Sequence, residues 1–251
     1  MRMEKLSHAD LLELRRWNTP TIYNGWESVA ARDRLECCMS REAINDYAPQ
    51  MGAMTGYAVT VEYVCSDAKI KEDNPDCYLK LYEYLASIPG PKVIIAKDLD
   101  APDMTGSIFG EVTGNAYKAL GCVGCIDDGF VRDVDEAAYG GFKMMARRLG
   151  VSHTYSCPLH FGRDIEVFGA KVKPGMLIHA DKYGFIGIPE EETEHLLEGV
   201  RFMDSNECQT TIPSARDTFG LTQEEVLAQL KAAQDVFSKN ASDFRRQILE
   251  P

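Results

Sequence analysis

Residues 106–150 switch repeatedly between the two periodicities open to a polypeptide, and that switching limits the fold more than any other feature of the chain. Gly106 and Gly110 bracket a loop, Glu111–Leu120 has helical composition, and Gly121 stands where helices commonly end. Cys122–Ile126 is a short apolar run that reads as a strand, followed by a turn at Asp127-Asp128-Gly129. Val134–Leu149 reads as a second helix, closed by Gly150. Strands and helices in alternation place helices against a sheet, so an α/β layer is expected.

The flanking segments extend this pattern. Ser7–Trp17 has helical spacing, with Leu11 and Leu14 three apart and Leu12 widening the apolar side, and Asn18-Thr19-Pro20 stops it. Tyr57–Val64 has strand composition, Cys77–Ile88 reads as a helix closed by Pro89-Gly90-Pro91, and Lys92–Ala96 as a short buried strand. Ile165–Val167, Met176–His179 and Phe185–Ile188 read as short strands joined by tight turns. Helical patterning then returns in Glu190–Met203 and Thr222–Leu249, the latter opened by a capping-box pair, Thr222 and Glu225. The expected division is an α/β domain over residues 1–210 and a helical C-terminal extension over 211–251.

A chain of 251 residues with 45% hydrophobic content can bury a substantial core. Its formal net charge of −12 repels phosphate backbones, and the basic residues occur only in pairs such as Arg147-Arg148 and Arg245-Arg246, so nucleic-acid binding is not expected. There is no run of 18 apolar residues and no apolar stretch behind the first basic residues, which argues against membrane insertion and for a cytoplasmic protein. The eight cysteines then read as reduced thiols. Cys122 and Cys125 form a lone CxxC. With no second pair to complete a zinc site they read as buried thiols, on opposite faces of a strand by simple alternation.

Chemistry concentrates in Glu111, Arg132, Asp133 and Glu136. Glu111 starts a helix, where the amides of Val112 and Thr113 lack intrahelical partners and point toward an anion. Arg132 and Asp133 emerge from the strand and turn, and Glu136 lies one helical turn beyond Asp133, so both can address one spot. Carboxylate oxygens suit Mg²⁺ or Mn²⁺, and a guanidinium suits a carboxylate or an enolate oxygen. A divalent ion on a 2-oxo group would stabilise the enolate left by carbon–carbon cleavage. Taken alone, the same charges also suit surface ion pairs and partners of helix dipoles.

Three separated motifs carry a resemblance. Gly110-Glu111 with Ala119-Leu120-Gly121 and then Gly124 through Glu136, the strand Gly56-Tyr57-Ala58-Val59-Thr60-Val61, and Val172 through Asp181 with Gly184 and Ile188-Pro189 together resemble the RraA-like family over roughly residues 15–210. That family comprises 4-hydroxy-4-methyl-2-oxoglutarate aldolases and a regulator of ribonuclease E. The resemblance implies a mixed-sheet β/β/α swivelling-type domain and a class II, pyruvate-type aldolase with possible oxaloacetate decarboxylase activity. The alternative within the family is a non-catalytic protein-binding regulator.

By the same resemblance, Asp133 binds the metal, Glu111 and Glu136 hold its waters, and Arg132 meets the substrate carboxylate and the enolate oxygen. The amides of Val112 and Thr113 grip that carboxylate. A homotrimer or hexamer is implied, with a glutamate from a neighbouring subunit matched here by Glu207. The chain departs from the family in three places: Met176 replaces the aspartate of Pro-Gly-Asp, the stretch 150–163 is longer, and a C-terminal extension begins at Thr211. His153 and His160 lie in the longer stretch and are open candidates for the pocket.

Overall fold

Ser7 caps the first helix, its hydroxyl accepting the Asp10 amide while the Asp10 carboxylate accepts the Ser7 amide. The computed structural model describes residues 6–249. This first helix, α1 (His8–Leu14), ends before Trp17. Thr19-Pro20, expected only as a stop, opens α2 (Thr19–Val29), with proline in a first turn where its missing N–H costs nothing. Short strands β1 (Cys38–Met39) and β2 (Asn45–Asp46) precede β3 (Met54–Val64). Then follow α3 (Ala68–Asp73), α4 (Cys77–Ala86), β4 (Lys92–Asp98), α5 (Glu111–Ala119), β5 (Cys122–Val131), α6 (Val134–Tyr139) and β6 (Lys143–Leu149). The remainder is β7 (Cys157–Phe161), β8 (Ile165–Val167), β9 (Ala170–Val172), β10 (Leu177–Asp181), β11 (Gly184–Ile188), α7 (Leu196–Gln209), α8 (Thr211–Arg216) and α9 (Gln223–Leu249).

The described residues form two compact units. One joins Pro20–Glu36 to residues 191–249, and the other holds residues 6–19 and Cys37–Glu190. In the second unit the sheet order is β1-β11-β10-β3-β4-β5-β6-β2, with β7 also on β3. The four central strands, β3 to β6, are parallel, and helices cross between them. One sheet face packs under the helices: Val59, Val61, Ile94, Ala96, Met144 and Ala146 meet Leu81, Leu85, Tyr117 and Ala137. The other face buries Ala58, Val93, Ile95 and Met145 against Ile165, Val167 and Val172 of the β8–β9 ribbon. Strand alternation thus divides the apolar residues between two cores, and the layering is the mixed-sheet β/β/α arrangement expected.

Two sequence expectations fail between Cys122 and Leu149. The strand does not stop at Ile126: β5 continues through Asp127-Asp128-Gly129 to Val131, with a register break there rather than a turn. Tyr63 Oη donates to Asp127, and this buried partner keeps the acidic stretch in the sheet. Likewise Val134–Leu149 is a six-residue helix followed by a strand. Lys143-Met144-Met145-Ala146 has helix-favouring composition, but β5 on one side and β2 on the other pair with it, and this tertiary pairing overrides propensity. Cys122 and Cys125 are buried free thiols as expected, but the expectation that they face opposite sides needs correction. A register shift beside Cys122 places Cys122 and Cys125 in the same core, where burial pushes the Cys122 thiol up to about 12.

In the other unit, α2 and α7 touch at two glycines. A Cβ at Gly25 would lie 2.3 Å from Val200 Cγ2 and 2.6 Å from Val200 Cα, and one at Gly199 would lie 2.5 Å from the Gly25 carbonyl oxygen. Because backbone cannot yield cheaply, Gly25→Ala is expected to destabilise this unit by about 1–3 kcal/mol. A lowered urea midpoint with an unchanged slope is the check. Thr222 and Glu225 form the expected capping box at the start of α9.

Candidate functional site

Open parallel sheets gather ligands beyond the carboxyl ends of their strands, and the acidic constellation lies there. The loop after β4 delivers Gly110 as the N-cap of α5, and the end of β5 delivers Arg132 and Asp133. Asp133 adopts the left-handed region (φ 54°), which aspartate tolerates better than most residues, and caps α6. Its side chain bonds no amide of α6. Instead Oδ2 accepts the Glu111 amide at the start of α5 (3.1 Å) and lies 3.5 Å from Arg132 Nε. Oδ1 is left without a partner among the described residues. Arg132 Nη1 donates to the Val151 carbonyl at 3.3 Å, which fixes the guanidinium beside the carboxylate.

Gly110 keeps this corner open. A Cβ there would lie 2.7 Å from Asp133 Oδ2 and 3.1 Å from Arg132 Nε. Any side chain would displace the carboxylate, the guanidinium or both.

A cleft of about 330 Å³ opens beside these groups. The α5 start supplies Gly110, Val112 and Thr113 to its wall, and β5 supplies Arg132. In the first turn of α5 the amides of Val112 and Thr113 have no intrahelical acceptor. Glu111 and Glu136 stand exposed in the first turns of α5 and α6. Among the described residues, no three His, Cys, Asp or Glu side chains gather as a metal cage. Glu207 lies on α7, in the helical unit, and accepts Asn24 Nδ2 at 3.1 Å.

The cleft also contains groups that the sequence reading left open or missed. His153, Thr154 and Ser156 come from the long 150–163 stretch, which is anchored by Ser107 N–H donating to the Ser152 carbonyl and Thr154 Oγ1 donating to the Cys65 carbonyl. Lys71 of α3 and Tyr78 of α4 complete the wall. No sequence pattern marks these two residues, because they come from another part of the chain. His160 does not line the cleft; it sits in β7 opposite Glu62 of β3.

Residues 19–186 match the model of the RraA-like family, described as Aldolase/RraA. No curated protein matches the sequence. An uncharacterized protein from Pseudomonas syringae has a similar solved structure, with a TM-score of 0.66, 19% identity, and coverage of 90% of this chain and 95% of that one. A structure described as novel cellulases from microbes associated with the gut ecosystem has a TM-score of 0.66 and 15% identity, covering 83% and 90%. RraAS2 of Streptomyces coelicolor, described as an unusual member of the RNase ES inhibitor RraA family, has a TM-score of 0.61 and 18% identity, covering 82% and 96%. At such identities these likenesses concern the fold alone.

Proposed function

The chain belongs to the RraA-like family, and from that premise we propose that it is a divalent-metal-dependent lyase cleaving a carbon–carbon bond of a small 2-oxo acid through a pyruvate-type enolate. One observation supports this above the others: a carboxylate with a free oxygen, a fixed guanidinium and the start of α5 converge at the rim of one cleft. A surface used only to bind a protein has no need of that convergence.

The donor set fits a hydrated ion. Asp133 Oδ1 is a hard oxygen with no partner among the described residues, and Gly110 leaves the space around the carboxylate clear. Mg²⁺ commonly binds through one or two carboxylates and keeps several waters. Asp133 would be the direct ligand, and Glu111 and Glu136 would act through water. Mg²⁺ or Mn²⁺, when bound, supplies Lewis-acid stabilisation of the developing enolate.

The chain's own residues do the rest. The Val112 and Thr113 amides and the helix dipole hold the substrate's C1 carboxylate. Arg132 faces the C2 oxygen, where negative charge develops as the bond breaks. Glu111 and Glu136 order water that delivers a proton to C3 of the enolate. Lys71, Tyr78, His153 and Ser156 present polar groups to the departing half. Oxaloacetate yields the same enolate on losing CO₂, so decarboxylation accompanies the aldolase reaction.

The test is pyruvate release from 4-hydroxy-2-oxo acids and from oxaloacetate, before EDTA treatment, after it, and after Mg²⁺ or Mn²⁺ is restored. Turnover lost with EDTA and recovered with metal is expected. Absence of metal-dependent turnover on all of them would overturn the proposal.

The assembly we propose is a ring of three subunits or a pair of such rings, in which Glu207 serves a neighbouring subunit's cleft. Mixed rings of Asp133→Ala and Glu207→Ala subunits, each inactive alone, should regain activity. A fully active monomer by light scattering contradicts this. The second reading, a protein-binding regulator, draws on the net charge of −12, which suits a basic partner.

A further inference from the structure

Behind one wall of the cleft lie two thiols that the proposed chemistry does not use. Cys77 is the first residue of α4 and is 2% exposed, while Cys157 opens β7 and is fully buried. The two side chains share a small buried core with Val64. Their sequence neighbours meet as well: Tyr78 Oη and Ser156 Oγ, both lining the cleft, are hydrogen-bonded at 2.7 Å. The thiol pair therefore stands directly behind that bond, one residue away along each strand of chain.

A third group stands beside this pair. Lys71 Nζ lies 3.3 Å from Cys77 Sγ and 4.9 Å from the centre of the Tyr78 ring. Among the described residues Lys71 has no carboxylate partner. The Lys71 ammonium donates to the Cys77 sulfur at the first residue of α4, where it can stabilise charge that builds on that sulfur during reaction. Lys71 also lines the cleft, so a single side chain touches both the cleft and the Cys77 sulfur. Burial pushes the Cys157 thiol up to about 12, so it waits as the protonated partner.

We propose that Cys77 and Cys157 are a peroxide-sensitive thiol pair that closes into a reversible disulfide behind the cleft wall. The Cys77 sulfur attacks one oxygen of hydrogen peroxide, the O–O bond breaks, and the departing hydroxide takes the Cys77 thiol proton to leave as water. The resulting Cys77 sulfenic acid is attacked by Cys157 sulfur, its S–O bond breaks, and the hydroxyl leaves with the Cys157 proton as a second water. Two thiols are oxidised, one peroxide is reduced, and the new S–S bond ties the start of α4 to β7. The adjacent Tyr78–Ser156 contact would then be held by a covalent link, altering the wall shared with Lys71.

The experiment uses the full chain carrying Cys208→Ser, since Cys208 is exposed and would form bonds between molecules. The reduced protein is treated with hydrogen peroxide, its remaining thiols are alkylated, and the digest is mapped by mass spectrometry. The expected result is a peptide linking Cys77 to Cys157 that disappears on dithiothreitol treatment. Its rate of formation should fall by about tenfold in Lys71→Met, as expected when the attacking thiol loses its activating cation. Full alkylation of both cysteines after peroxide, in protein with an unchanged circular dichroism spectrum, would overturn the proposal. So would an undiminished rate in both Lys71→Met and Lys71→Gln.

Discussion

Replacing Asp133 with asparagine is expected to lower pyruvate-forming turnover by on the order of a thousandfold, because a metal's charge stabilisation is several kcal/mol and each tenfold in rate is about 1.4 kcal/mol. The substitution keeps an oxygen that can accept the Glu111 amide, so the start of α5 should survive. It removes the formal charge that pairs with Arg132 and that would hold the proposed cation. Steady-state kinetics over a range of Mg²⁺ concentrations would separate the two possible losses. A defect that excess Mg²⁺ repairs is one of affinity, and one that persists is a loss of geometry. Gly110→Ala should produce a comparable loss by a different route, since its Cβ would press on Asp133 Oδ2 and Arg132 Nε without removing either charge. If either variant turns over substrate like the unmodified chain, Asp133 is not the centre of the chemistry.

Stability should respond to pH through buried groups that act in opposite directions. His179 is fully buried, with Nδ1 against Thr19 Oγ1 and Nε2 near the Leu14 carbonyl, and burial pushes it down to about 4 despite Asp181 nearby. Below the usual histidine value the unfolded chain takes up this proton and the folded one does not. Stability from His179 is therefore lost as pH falls from about 6.5 towards 4.

Asp98 behaves in the opposite sense. It is 2% exposed, Oδ2 has no hydrogen-bond partner among the described residues, and burial raises its carboxyl to about 6. Here the folded chain holds the proton longer, so stability is lost as pH rises from about 4 to 6. Asp127, fully buried under Tyr63 and likewise raised by burial, acts in the same sense as Asp98. At about 1.4 kcal/mol per pKa unit, His179 and Asp98 contribute up to about 3 kcal/mol each, so between them they largely cancel. Asp98→Asn should therefore be more stable than the unmodified chain above pH 6 and should reveal the acid loss due to His179. His179→Gln should reveal the opposite slope. Urea midpoints measured from pH 4 to 8 provide the check, and parallel profiles for all three proteins would show that neither group is linked to folding.

The sequence alone was enough to place the βα alternation, the helix start at Ser7, the capping box at Thr222, and most strand positions, because these depend on local periodicity and turn residues. It also marked Gly110, Glu111, Arg132, Asp133 and Glu136, since a glycine before a helix and an Arg-Asp pair after a strand are local patterns. The tertiary structure decided what local signals could not. Lys143–Leu149 is a strand because β5 and β2 offer partners to its backbone, although its side chains would suit a helix. Cys122 and Cys125 share a core because a register shift offsets strict alternation. Lys71, Tyr78, His153 and Ser156 enter one cleft only because β3, β4 and β5 bring their connecting segments to the same end of the sheet. Which carboxyls lose their water is likewise set by packing: Asp98 and Asp127 are buried and shifted, while Glu111 and Glu136 remain exposed. Periodicity acts over a few residues, whereas burial and proximity depend on contacts between residues far apart in the chain.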